Sequence, residues 1–164
     1  MAVSLSGGAG HGLHAVGGAL LAFTGAEVVV AELVPEIVKW ARGPLAHLFQ
    51  DHLVDPRLSL EMADVHDVII RQEAAFDAIL LDVDNGPDGM IHLPNERLYC
   101  DWGLRAARHA LRPGGVLAIW SAYTDHDFVD RLENAGFDVE EVSIPALAGE
   151  EHVIHTIWLA SKGA

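Results

Sequence analysis

EVVVAELVPEIVKWARGPLAHLF, residues 27–49, passes from an unbroken run of small and β-branched apolar residues to a helical pattern opened by a proline. Residues 27–32 (EVVVAE) read as a strand buried on both faces, because a half-exposed strand alternates apolar with polar residues and this one does not. A helix over residues 35–49 follows, with Pro35 in the first turn, where its missing N–H removes no helical hydrogen bond. A doubly buried strand running straight into a helix is half of a βαβ unit, so the fold question becomes whether the unit repeats.

It repeats in both directions. Upstream, residues 3–6 form a short first strand, followed by a glycine-rich turn and a weak helix reaching residue 23. Downstream come a strand over 57–62, a short helix over 65–73 and a strand over 76–82 (FDAILLD). A loop over 83–95, rich in Asp, Asn, Gly and Pro, leads into a helix over 96–111. Arg112-Pro113-Gly114-Gly115 stops that helix, and residues 116–121 (VLAIWS) form the fifth strand. A helix over 127–135 ends at Gly136, and strands over 137–144 and 152–160 close the chain with no helix between them. This order predicts one α/β domain over residues 1–164: a doubly wound, seven-stranded, mostly parallel sheet with an antiparallel last strand. In such sheets the ligand lies beyond the carboxyl ends of the strands, where the winding reverses.

Composition narrows the partners. The 164 residues can bury one sizeable core, and 51% are hydrophobic, which excludes general disorder. No apolar run reaches the roughly 18 residues of a membrane helix. Twenty-four acidic against 10 basic residues give a formal charge of −14, which removes the phosphate attraction that drives nucleic-acid binding. A small or cationic substrate is expected, with no nucleic-acid or membrane partner. The opening MAVSLSGGAG lacks the basic start and long apolar stretch of a secretory leader, and the single Cys100 makes no internal disulfide. A cytoplasmic location is expected.

Three sets of residues carry the chemistry. Gly8, Gly10 and Gly12 lie in GGAGHG after the first strand, where bare backbone can approach a ligand at a helix amino terminus. Glu32 closes the next strand 20 residues beyond Gly12, the spacing at which an acid accepts hydrogen bonds from ribose hydroxyls; its alternative is a solvated strand end. Asp64 follows the third strand and can reach an adenine amino group, cap the next helix, or do both. Asp82 ends the fourth strand and opens DVDNGPDG, with Asp84 and Asp88. Carboxylates there can take a proton from an amine or hold a cation. An ordinary acidic turn is the alternative, and the spacing does not match a twelve-position calcium loop. The ten histidines show no tight zinc spacing, so no metal is expected. Cys100 reads as a small buried residue within a helix, and Trp102, Trp120 and Trp158 as core.

EVVVAELVPEIVKWARGPLAHL, DPRLSLEMADVHDVI, FDAILLDVDNGPDG, RLYCDWGLRAARHALRPGGVLAIWS and the tail from AGFDVEEVSIP to HTIWLASK, taken in that order, resemble the spermidine synthase family of polyamine aminopropyltransferases. That family has the class I S-adenosylmethionine-dependent methyltransferase fold. The resemblance implies a donor of the S-adenosylmethionine type, usually its decarboxylated form, and aminopropyl transfer to a small amine. By matching position, Glu32 would bind ribose, Asp64 adenine, and Asp82 would deprotonate the attacking amine. The chain departs from the family in lacking the amino-terminal β-hairpin region that helps cover the substrate, and in the loop Asp82-Val83-Asp84-Asn85-Gly86-Pro87, where the family reads close to Asp-Ser-Ser-Asp-Pro. The second amine-holding acid is therefore open between Asp84 and Asp88. An uncovered sheet edge also predicts a homo-oligomer. On the same fold, a methyltransferase or a donor-degrading enzyme is the alternative, and a non-catalytic nucleoside-binding or oligomerising remnant is a third.

Overall fold

The apolar runs pair as strands because each is too short and too β-branched to bury itself as a helix. The computed structural model describes residues 2–6, 24–49, 52–82, 87, 95–145 and 154–164. Seven strands, β1 (Ala2–Ser6), β2 (Val28–Glu32), β3 (Leu58–Glu61), β4 (Phe76–Asp82), β5 (Leu111–Ser121), β6 (Asp138–Pro145) and β7 (Ile154–Ser161), form one sheet in the order β3-β2-β1-β4-β5-β7-β6. β1 lies parallel between β2 and β4, and the β2–β3 and β4–β5 pairs are also parallel. β7 is inserted antiparallel between β5 and β6. The described helices are α1 (Pro35–Arg42), α2 (Ala46–Phe49), α3 (Val65–Ile70), α4 (Glu96–Tyr99), α5 (Asp101–Ala110) and α6 (His126–Asn134).

Each face of the sheet has its own core. Val29, Ala31, Ile79, Leu81, Leu117, Ile119 and Trp158 share one face and pack with Val68 and Ile69 of α3, Leu98 and Tyr99 of α4, Leu104 of α5, and Phe128 and Leu132 of α6. Val28 and Val30 point the other way, onto Ile37 and Ala41 of α1. β2 is thus covered on both sides, which is why its sequence does not alternate. Among the described residues no helix is long and apolar enough to cross a membrane.

The expected elements differ from the observed ones at four places. The helix over 35–49 is two helices, because Pro44 has no N–H for the carbonyl of Trp40; Gly43 and Leu45 donate to that oxygen instead, at 3.1 and 2.9 Å. The helix over 96–111 is also two, broken at Cys100, whose ψ of 163° is extended. Cys100 is therefore a half-buried joint rather than a buried residue inside a helix, and its Sγ donates to the carbonyl of Arg97 at 3.4 Å. β5 begins at Leu111 instead of 116. Arg112-Pro113-Gly114-Gly115 is carried inside the strand as an irregularity that shifts the pairing with β4 between Phe76 and Ala78, and Gly114 takes φ +75° there while donating to Lys162 of the neighbouring segment. Of the tryptophans, Trp158 is fully buried edge-on to Phe128 and Trp120 is half-buried. Trp102 is not core: it is 56% exposed and leans on the ring of His66.

Candidate functional site

All parallel strands point their carboxyl ends to one side, and the chain winds from β1 toward β2 and β3 in one direction and from β4 toward β5 in the other. The crevice between the tips of β1 and β4 is the switch point, where a ligand can lie across backbone ends without a covering helix. Register fixes what stands there. Ser6, the last residue of β1, pairs with Glu32 on one side and with Asp82 on the other. Glu32 and Asp82 therefore stand in one row, on the same sheet face, two strand spacings or about 10 Å apart.

Glu32 is 1% exposed. It continues the Val28–Val30 face under α1, so its burial follows from the period of the strand, and its Oε1 accepts a hydrogen bond from the backbone N–H of Val34 at 2.8 Å. A buried carboxylate is tolerated only where donors surround it. Such a fixed acceptor at a strand tip suits a pair of sugar hydroxyls. Asp82 closes β4 in the same row and is half-buried. Gly8, Gly10, Gly12, Asp84 and Asp88 lie outside the described residues.

Asp64 stands beyond the end of β3 and opens α3. Its Oδ1 accepts the backbone N–H of His66 at 2.9 Å, which is the helix cap foreseen for it. Its Oδ2 accepts from the guanidinium of Arg97 on α4. Sequence reasoning missed Arg97, since 33 residues and a whole strand separate the two and no local pattern links them. The contact exists because α4 follows the loop after β4 and folds back toward the tip of β3. On the β5 side of the same edge, Ser121 Oγ accepts the backbone N–H of Tyr123 at 3.1 Å. Buried Asp125 caps α6 through the Phe128 N–H at 3.0 Å and accepts from Arg131 at 2.9 Å.

The donor set fits an adenosine-type ligand chemically: an acceptor at the β2 tip for vicinal hydroxyls, an acid paired with a cation at the β3 tip for a purine edge, and an acid at the β4 tip. A 92-residue stretch, 56% of the chain, is 37% identical to the polyamine aminopropyltransferase of Nitrosomonas europaea, of which it covers 27%. Over that stretch the chain is similar in sequence to a polyamine aminopropyltransferase. A crystal structure of spermidine synthase in complex with the transition state analogue AdoDATO superposes with a TM-score of 0.72 at 18% identity, covering 99% of this chain and 53% of that one. The 1,6-didemethyltoxoflavin-N1-methyltransferase of Burkholderia thailandensis, solved with bound 1,6-didemethyltoxoflavin and S-adenosylhomocysteine, gives a TM-score of 0.63 at 22% identity, with 99% of this chain and 71% of that one covered. These structures share a methyltransferase-like Rossmann fold with this chain. The chain spans about half the length of the solved spermidine synthase and matches about a quarter of the curated aminopropyltransferase. No protein-family model matches it.

Proposed function

We propose that the chain is the nucleoside-binding domain of a transferase that binds S-adenosylmethionine or its decarboxylated form, and that from the decarboxylated form it moves an aminopropyl group to a small amine. The supporting observation is the row Glu32–Ser6–Asp82, which sets a buried acceptor and a half-buried acid on one face, one strand to either side of β1. When bound, the donor supplies a carbon made electrophilic by the attached sulfonium. The chain's own residues then have three tasks. Glu32 holds the ribose hydroxyls and with them the angle of the donor. Asp64 meets the purine edge. Asp82 takes the proton from the acceptor amine, so that the nitrogen lone pair is free to attack as the carbon–sulfur bond breaks. Most of the acceleration comes from orientation, because the leaving group is already activated. Asp84 or Asp88 would hold the far ammonium of a diamine.

Methyl transfer is the second possibility, favoured by the likeness in fold to the 1,6-didemethyltoxoflavin-N1-methyltransferase noted above. The deciding experiment incubates the protein with putrescine and either S-adenosylmethionine or its decarboxylated form and identifies products by mass spectrometry. Spermidine together with methylthioadenosine from the decarboxylated donor supports aminopropyl transfer; a methylated amine or donor breakdown alone defeats it. Asp82→Asn should abolish product while methylthioadenosine still binds, and undiminished turnover by that variant would remove Asp82 from the role of base.

A further inference from the structure

Asp64 does not stand alone at the β3 tip. One of its oxygens is held by the backbone of His66, and the other faces Arg97. The two side chains are 23% and 42% exposed, so the pair sits at the rim of the crevice, where an ion pair is weak and can be shared with a ligand. Together they present one acceptor and one donor side by side, anchored on different elements, α3 and α4.

The edge of a purine also carries one donor and one acceptor. A 6-aminopurine donates from its exocyclic amine and accepts at N1; a 6-oxopurine donates from N1 and accepts at the exocyclic oxygen. An isolated aspartate satisfies the donor of either but leaves the acceptor unmet, and it repels the oxygen of the 6-oxo form. A guanidinium beside it removes that penalty. We propose that Arg97 determines which purine nucleosides this site accepts: paired with Asp64, it makes the site accept 6-oxo as well as 6-amino nucleosides. The inference rests on Asp64 facing the purine, as assigned under the proposed function. Arg97 is a specificity residue here and takes no part in the transfer step.

The test is calorimetric binding of 5′-methylthioadenosine and 5′-methylthioinosine to the wild-type protein, Arg97→Ala and Arg97→Lys. The wild type should bind the two within a few-fold of each other. Arg97→Ala should favour the 6-amino compound by about tenfold more than the wild type does, because a polar group left unmet is strongly discriminating. Arg97→Lys, which restores a cation and a donor, should return the ratio toward the wild-type value. Thermal melts run alongside establish that the variants fold, and the exposure of Arg97 means that its truncation leaves no core cavity. An unchanged ratio in folded Arg97→Ala, with both compounds binding, overturns this inference and leaves the proposed function standing. Failure of both compounds to bind the wild type overturns the nucleoside site and this inference with it.

Discussion

Replacing Gly103 by alanine adds one methyl group, which would stand 2.0 Å from the carbonyl oxygen of Arg97 and 2.8 Å from that of Leu98. Both neighbours are backbone, so no side chain can rotate out of the way. Ordinary contact begins at 3.4 Å, and the approach of α5 to the end of α4 would have to open by about 1.4 Å. Overpacking of this kind costs about 1–3 kcal/mol, and more where backbone must shift. Against it stands the helix preference of alanine over glycine, about 1 kcal/mol. The net expectation is a loss of about 2 kcal/mol, which for a domain of this size lowers the melting temperature by about 4–8 °C. Urea titration followed by circular dichroism measures it, with the slope checked to confirm that the unfolding transition is the same one. Because α4 carries Arg97, the displacement should also change the ratio of 6-amino to 6-oxo nucleoside binding. A variant as stable as the wild type, or more stable, would show that the close packing of α4 on α5 is not what requires glycine.

Glu32→Gln keeps an acceptor for Val34 but removes the charge proposed to draw sugar hydroxyls; methylthioadenosine should bind at least about tenfold more weakly, with stability changed by less than about 1 kcal/mol, as calorimetry and thermal melts would report. Asp55 takes side-chain hydrogen bonds from Arg57 and then its backbone N–H, and these lower its pKa from 3.8 to about 2. A carboxyl depressed in the folded state favours folding above the unfolded value and loses that contribution as the pH falls from about 4 toward 2. NMR titration should find Asp55 in that low range and Arg57→Ala should raise it toward the ordinary value; a normal wild-type titration would refute the pairing. Asp125→Ala removes both the cap of α6 and the partner of Arg131, and should cost about 2 kcal/mol in urea unfolding.

The sheet was legible in the sequence because its signals are local. Three valines and an alanine between two glutamates identify β2 without any knowledge of its neighbours, and FDAILLD does the same for β4. The placement of Glu32, Asp64 and Asp82 was legible for a related reason: each is the acid at or just beyond a strand end, and strand ends are where a doubly wound sheet gathers its ligand contacts. What the sequence hid depends on packing between distant segments. The break at Cys100 follows from α5 resting its Gly103 on the carbonyls of α4, a contact that helical periodicity cannot register, since both halves keep the same pattern. Trp102 looked like core because it is large and apolar, yet the turn of α5 left by that break carries it outward onto His66. The Asp64–Arg97 pair is hidden for the same reason: it joins segments that approach only after the chain has crossed the sheet.

The two acids at the β2 and β4 tips depend on a strand that contributes no acid. β1 has five residues and holds both neighbours in register through Ser6. A slip of one residue along either pairing would set Glu32 and Asp82 in different rows and, since side chains alternate with a period of two, would turn the slipped strand's packed residues to the other face. The buried valines of β2 and the isoleucine and leucines of β4 oppose such a slip, because moving a strand by one position exchanges its two packed faces. The spacing between the acid that would orient the donor and the acid that would receive the proton is therefore set by core packing below the site. This explains how positional precision can be kept at the edge of a small sheet: the residues proposed to do the chemistry end strands whose remaining residues have no freedom to shift.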